Sequence, residues 1–570
     1  MTNQPSQRST WITLGLILIC AAGLRLRLLG VPLERDEGEY AYAGQLLLEG
    51  LPPYQLAYNL KMPGSYAAYA GLMAVFGQTH TGIHLGLLFV NAASILLVFL
   101  LARRLFDARV GVLAAAAFAV LSISRGVLGF TANAEQLVLP PALAGMLALL
   151  RGVQAPRRFW FFLSGLLLGV GFLMKQHGSF FILFAASYLL YLDWEGRASL
   201  WRTALARWLP FAAGALLPFG ATCLYLHQAG VFGAFWFWVF RYALEYVSQV
   251  SPLDAISWLP GNLAKVVGPC LGLWLFAGVG LIASQRRPAA ESAGIYLGLL
   301  AFWSLLSVVP GFYFRPHYFI LALPAVAIAA AQGLDWAGRR LFGAGPGWRP
   351  AAGSLLLSGL VLLDPIRVEA PYLFQWSPEQ VSRRSYGIEP FPESLVIAEQ
   401  LKRRAAPGDR IAVIGSEPQI YFYSQLRSAT GYLYTYSLME VQPFALAMQE
   451  QMIREVELNA PAFLVHVHID GSWGEHAQSQ QHIFEWLERY QEGFERIGLV
   501  VLEGEDAILT RYYWDEAARQ QVLPAAEQSW IAILKRKPRP AADAARAATR
   551  ASAGRRSHGP ARSDAGRRAS

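Results

Sequence analysis

Glu34, Arg35, Asp36, Glu37 and Glu39 crowd together directly after the first apolar run of the chain. A lone lysine, Lys61, follows about 25 residues later in the turn-rich stretch Asn59-Leu60-Lys61-Met62-Pro63-Gly64. A carboxylate at a lipid–water boundary can take a proton from an incoming hydroxyl. A cation beside it can stabilise the charge that develops on a phosphate as a bond to it breaks. The pair therefore suits chemistry on a lipid phosphate. Between the two, Glu37 to Leu48 has helix-forming composition with Tyr40, Gly44 and Leu47 on one side, so a helix lying flat on the interface is expected. Gly50 and Pro52-Pro53-Tyr54 end it.

Other ionisable residues recur at the ends of apolar runs. Glu135 follows Arg125 and Asn133, Lys175-Gln176 closes a run, and Arg315-Pro316-His317-Tyr318 leads into Pro324. An ionisable group at such a depth is a functional candidate by default, although Glu135 paired with Arg125 and Lys175 snorkelling from a helix end are equally open. His317 reads as a hydrogen-bonded core histidine or as a site residue; with Asp36 and Glu37 it could complete a divalent-metal ligand set if the fold brought them together. The aromatic stretch 232–246 reads as an interfacial belt, or as a re-entrant helix lining a groove for an isoprenoid chain with Arg241 and Glu245 on its wet face. His466 and His468 alternate on one strand and read as a solvent-facing pair.

The elements that must position these residues are set by composition. The 570 residues are 54% hydrophobic and 15% charged, whereas a soluble chain carries about 25% charge. A hydrocarbon core about 30 Å thick takes about 20 apolar residues of helix. Eleven such runs are centred near residues 20, 91, 115, 142, 166, 184, 217, 271, 300, 325 and 357. With the N-terminus (1–10) cytoplasmic, the basic groups Arg103/Arg104/Arg109, Arg151/Arg157/Arg158, Arg197/Arg202/Arg207, Arg286/Arg287 and Arg339/Arg340/Arg349 all fall on the cytoplasmic side. The loop 31–80 then lies outside, as does everything after about residue 366. Arg25 and Arg27 go against the rule; they snorkel or serve the site. A signal peptide is disfavoured because these two arginines follow the small residues at once.

Beyond the membrane part (11–366), residues 367–534 read as a smaller α/β domain. Strands are expected at Arg410–Gly415, Ala462–Ile469, Gly498–Glu503 and Ala507–Tyr513, and helices around 393–405, 440–457 and 478–492. Gly415-Ser416-Glu417 after the first strand lacks the glycine spacing of a dinucleotide loop and reads as an ordinary turn. Residues 535–570 hold eleven Lys/Arg against Asp543 and Asp564, so the net charge of +9 belongs to this Ala/Arg/Ser/Pro-rich tail, which reads as disordered. Nothing basic remains to suggest nucleic acid. Cys20, Cys223 and Cys270 lie in apolar runs without ligand spacing.

The order Arg35-Asp36-Glu37-x-x-Tyr40, Gly50-x-Pro52-Pro53-Tyr54, Asn59-x-Lys61-x-Pro63 resembles the first outer loop of the GT-C glycosyltransferases, closest to bacterial relatives of protein O-mannosyltransferase and lipid A aminoarabinose transferase. Arg125…Asn133-x-Glu135, Lys175-Gln176 and Arg315-Pro316-His317-Tyr318 extend the resemblance over about residues 10–365. Lys61-Met62-Pro63 departs from the Lys-Pro-Pro usual in the aminoarabinose branch. The resemblance implies a polytopic α-helical membrane protein of GT-C type followed by an extracytoplasmic α/β domain. It also implies inverting transfer of a sugar from a polyprenyl-phosphate carrier to an extracytoplasmic lipid, glycan or protein at the cell membrane. By position, Asp36 would be the general base, with Glu37 beside it to orient the acceptor or bind a metal. Lys61 would hold the carrier phosphate with Arg315 or His317, and Lys175, Glu135 and Tyr40 would line the substrate site. No cofactor beyond a divalent metal is implied. Two other classes compete: a transporter or lipid flippase, which calls for mid-membrane charges and repeated broken spans, and a scaffold acting through its outer domain.

Overall fold

The computed structural model describes residues 6–196, 200–285, 291–343, 348–504, 509–525 and 527–538. Each of the eleven apolar runs falls on a helix. Seven helices, counted among the described residues, are long and apolar enough to cross a membrane: Gln7–Leu26, His80–Leu105, Ala134–Gln154, Ala204–Gln228, Pro252–Gln285, Pro316–Phe342 and Arg349–Val368. Ala108–Ile123, Arg158–Met174 and Ser292–Leu306 are apolar but shorter. The chain is thus a multi-pass membrane protein. Pro316–Phe342 is buried over almost its whole length, and its second part packs against Leu271–Gln285 and Ala108–Ile123. The crossing with Leu271–Gln285 is close because Gly280 and Gly333 face each other's helix: a Cβ on Gly280 would sit 1.8 Å from the Ala329 carbonyl oxygen. Small residues of this kind let helices approach where lipid supplies no hydrophobic drive.

Three helices fix the first loop. After α1 (Gln7–Leu26) the chain enters α2 (Arg35–Leu48), where the sequence predicts a helix, and then α3 (Pro63–Phe76), which starts in the last two residues of the expected turn-rich stretch and fills the rest of the loop. Pro63 sits at the first helical position, where its missing N–H is no loss, and Tyr66, Tyr69, Ala70 and Met73 form a buried stripe at helical spacing. Here Pro-Gly opens a helix and does not close a turn. Helix α2 is not an interfacial surface helix. Glu37 to Leu46 are all buried, because the C-terminal domain covers it.

That domain is built on a six-stranded mixed sheet. Its strands are β1 (Arg410–Ile414), β2 (Arg427–Ser428), β3 (Phe463–His468), β4 (Phe494–Glu503), β5 (Leu509–Trp514) and β6 (Ser529–Arg536), in the order β2-β1-β3-β6-β4-β5. β1 pairs parallel with β2 and β3, and the remaining pairs are antiparallel. β6 corrects the expected boundary at 534: Lys535 and Arg536 are strand residues, and Arg536 donates to the Pro461 carbonyl and Tyr490 hydroxyl. Burial of Ile531, Ala532 and Ile533 outweighs the basic end of the segment. From residue 539 the expected disordered tail lies outside the described residues. Arg25 and Arg27 are structural: Arg25 donates to the Ser122 and Gly129 carbonyls, and Arg27 to those of Leu373 and Trp376.

Candidate active site

The start of α2 is held by a reciprocal cap. The Glu34 carboxylate accepts from the Glu37 amide, while the Glu37 carboxylate accepts from the Glu34 amide. Arg35, on the first turn, donates to the Ser416 carbonyl at 2.6 Å and to Glu389 at 2.5 Å, and lies 3.4 Å from Glu417. The turn Gly415-Ser416-Glu417 is therefore the dock for the loop. Gly38 makes the docking possible, since a Cβ there would meet the Gln419 backbone nitrogen at 2.6 Å.

Asp36 then faces Lys61 with 2.8 Å between Oδ2 and Nζ. The turn carrying Lys61 is pinned by its backbone: Tyr54 donates its hydroxyl to the Lys61 carbonyl, and Gln176 donates to that of Leu60. Burial alone would push the Asp36 carboxyl up. Electrostatic interaction with Lys61, His317 and Arg315 and the hydrogen bond from Lys61 reverse this and hold it well below the usual carboxylate range. Burial likewise works against the Lys61 ammonium, but Asp36 and Glu39 raise it above the ordinary lysine value. The Lys61 ammonium also lies 5.2 Å from the centre of the Tyr40 ring. Glu39, buried, accepts from Tyr66 at 2.5 Å and Asn59 at 2.9 Å, and burial pushes it up to about 7.

Behind Lys61, Lys175 pairs with Glu135 and stands 4.2 Å over the Tyr318 ring. His317 Nε2 lies 3.9 Å from the same Glu135 carboxylate. Glu135 is thus paired with Lys175; Arg125 instead donates to the Arg384 carbonyl and lies over Trp376. Arg315 donates to the Tyr246 hydroxyl at 3.4 Å.

Two cavities meet at Asp36. The first, of about 210 Å³, takes in Asp36, Tyr40, Lys61, Lys175 and Arg315, with an aromatic wall from Trp238, Tyr242 and Tyr246. That wall belongs to the helical stretch 232–247, whose middle, Phe237–Tyr242, is π-helical; the lining reading of the aromatic segment fits this placement better than a lipid-facing belt. The second cavity, of about 750 Å³, is more polar and takes in Glu34, Asp36, Arg125, Lys265, His317 and Arg384. Asp36, Arg315 and Tyr436 wall both.

The placement corrects several expectations. Glu37 lines neither cavity. It is fully buried, and its Oε1 takes the Ala132 amide at 2.6 Å and lies 3.0 Å from His84 Nε2, so it anchors the loop to the spans. Asp36, Glu37 and His317 accordingly form no metal ligand set, and among the described residues no cluster of three His, Cys, Asp or Glu side chains could hold an ion. His317 lines the second cavity and not the first, which holds Lys61. His466 and His468 are half-buried against Trp530. Sequence reasoning missed Tyr434, Tyr436 and Glu440 of the C-terminal domain, all in the first cavity. The signal available was the density of tyrosine in Tyr432-Leu433-Tyr434-Thr435-Tyr436.

Residues 61–225 match the family model described as dolichyl-phosphate-mannose-protein mannosyltransferase. An undecaprenyl phosphate-alpha-4-amino-4-deoxy-L-arabinose arabinosyl transferase of Pseudomonas aeruginosa (strain UCBPP-PA14) is 30% identical over 323 residues, 53% of this chain and 54% of that protein. The one from Pseudomonas paraeruginosa is 30% identical over 319 residues, with the same shares. The chain thus spans about half the length of the curated relatives it matches. Among solved structures, ArnT from Cupriavidus metallidurans bound to undecaprenyl phosphate superposes with TM-score 0.55 at 18% identity, over 80% of this chain and 93% of that one. The Archaeoglobus fulgidus oligosaccharyltransferase tethered to an acceptor peptide gives 0.52 at 14%, over 90% and 74%. The resemblance to GT-C glycosyltransferases read from the first loop is borne out, and the fold is of that type.

Proposed function

We propose that this chain is an inverting glycosyltransferase that moves a sugar from a polyprenyl-phosphate carrier to a hydroxyl or amine of an extracytoplasmic acceptor. The observation that carries the reading is the position of Asp36 in the wall between two cavities of different character. The first joins three cations to an aromatic, apolar wall, which suits a phosphate with an isoprenoid tail. The second, polar and larger, suits an acceptor head group. In this reading the acceptor, held in the second cavity, attacks the sugar held in the first from the face opposite the carrier phosphate, and the anomeric carbon inverts.

In the reaction, Asp36 removes the proton from the acceptor hydroxyl as its oxygen bonds to the anomeric carbon. The bond from that carbon to the phosphate oxygen breaks with its electron pair, and the phosphate charge is met by Lys61, Lys175 and Arg315. Without donor, Lys61 is engaged by Asp36, which keeps that carboxylate a weak base. A bound phosphate draws Lys61 away, and burial then raises the basicity of Asp36 when a base is needed. Mannose and 4-amino-4-deoxy-L-arabinose are the sugars in the names of the matching family and relatives.

The test is transfer by the full-length protein in liposomes, from undecaprenyl-phosphate sugars to extracted envelope lipids, glycans and proteins. The expected result is a product of inverted anomeric configuration, lost in Asp36→Asn. Normal transfer by that variant, or substrate-dependent flux with no sugar transferred, would contradict the reading; the second outcome would point to a transporter.

A further inference from the structure

The C-terminal domain forms part of the first cavity's wall. The segment after β2 runs under α2 and is tied down along its length. Gly431 accepts from the Tyr58 amide at 2.7 Å, Thr435 donates its amide to Ser416, and the Tyr434 hydroxyl reaches the Arg35 carbonyl at 3.0 Å and Asp36 Oδ1 at 3.3 Å. Tyr436 packs its ring 5.2 Å from the Arg35 guanidinium and 5.9 Å from the Tyr434 ring, the two rings being stacked. Four residues later Glu440 turns back into the cavity. Its Oε2 takes the Tyr242 hydroxyl at 2.5 Å from the aromatic helical stretch. The side chain is almost fully buried, and burial pushes its carboxyl up to about 7.

Neither Glu440 nor the stacked tyrosines has a task in the mechanism above. The cations face the phosphate, Asp36 faces the acceptor and the anomeric carbon, and Trp238 and Tyr246 flank the carrier chain. Tyrosine rings and a carboxylate lining one cavity are what a sugar ring needs: apolar surface for its C–H groups and an acceptor for its O–H or N–H groups. A buried carboxylate with one oxygen left for a ligand is also a strong discriminator, because a sugar that cannot donate to it leaves it unpaired.

We infer that Tyr434, Tyr436 and Glu440 of the C-terminal domain form the subsite that reads the donor sugar, selecting a sugar that presents a hydroxyl or ammonium donor to Glu440. This rests on the donor occupying the first cavity, as in the proposed function. Specificity then resides in the C-terminal domain, while phosphate binding and chemistry reside in the membrane part.

The experiment uses the full-length protein in nanodiscs and three probes: undecaprenyl phosphate, its mannosyl ester and its 4-amino-4-deoxyarabinosyl ester. Dissociation constants are measured for wild type, Glu440→Gln and Glu440→Ala. Wild type is expected to bind one glycosylated probe more tightly than bare carrier. Glu440→Ala is expected to cut that preference about tenfold or more while the affinity for bare carrier stays within about twofold. Glu440→Gln keeps an acceptor but no charge, so it should lose the preference if the sugar offers an ammonium and keep most of it if the sugar offers a hydroxyl; either result supports the subsite. Loss of bare-carrier binding equal to that of the glycosylated probes, an unchanged preference in Glu440→Ala, or a wild type without preference overturns it. The proposed function fails separately: wild type then binds no carrier, or Asp36→Asn transfers normally.

Discussion

Replacing Asp36 by Asn should slow transfer and tighten carrier binding, an opposite pair of effects that follows from the Asp36–Lys61 contact. At 2.8 Å and an effective dielectric constant of about 20, the Coulomb attraction is about 6 kcal/mol. The two side chains keep 16% and 20% of their exposure, so desolvation and water offset most of it. A net value of about 1–2 kcal/mol, between an exposed pair and a buried one, is the reasonable magnitude. A phosphate arriving at Lys61 must displace Asp36 in the wild type but not in the Asn variant. The affinity for undecaprenyl phosphate should therefore rise about five- to thirty-fold, by the factor of ten per 1.4 kcal/mol. Transfer should fall about 10²- to 10⁴-fold, the usual contribution of a general base. Tryptophan-fluorescence titration in nanodiscs measures the first and single-turnover transfer the second. Weaker carrier binding by the Asn variant would show that Asp36 and the phosphate do not share Lys61, and the reasoning would fail.

Lys61→Ala should instead weaken the affinity for undecaprenyl phosphate by about tenfold or more, read in the same titration. The Asp36 carboxyl lies below its unfolded value, so the stability it contributes is present above about pH 4 and is lost only in stronger acid; the pH profile of kcat/KM should show no acid limb from Asp36 between about pH 5 and 8. Glu39 has the opposite sign. Its carboxyl is raised from 4.5 to about 7, so its contribution is present below about pH 4.5 and is lost as pH rises through 7. Glu39→Gln should remove up to about 3 kcal/mol of that pH dependence, measured as thermal unfolding at pH 5 and pH 8. Gly38→Ala drives a methyl into the Gln419 backbone and should destabilise the docked loop by about 1–3 kcal/mol, with a fall in both melting temperature and transfer.

The helices of the membrane part are legible because span length and apolarity are local properties of the sequence. Asp36 and Lys61 could be paired for the same reason, both lying on one loop. What the sequence concealed depends on distant contacts. Glu37 looks like a site carboxylate beside Asp36, yet one step around the helix sends it to His84 and the Ala132 amide. Tyr434 meets Asp36 across 398 positions, and no periodicity announces such a contact. β6 was hidden because its buried centre runs directly into the basic end of the chain. Helix α3 was hidden because Pro-Gly marks a turn as readily as a helix start.

The proposed reaction depends on where the donor phosphate binds. The most direct measurement is a cryo-EM structure of the full-length protein in nanodiscs with undecaprenyl phosphate. The expected result is phosphate density within hydrogen-bonding distance of Lys61, Lys175 and Arg315, the Lys61–Asp36 contact opened, and the prenyl chain leaving along Trp238 and Tyr246. Phosphate density in the second cavity beside His317, or an intact Lys61–Asp36 pair with the carrier bound elsewhere, would contradict it.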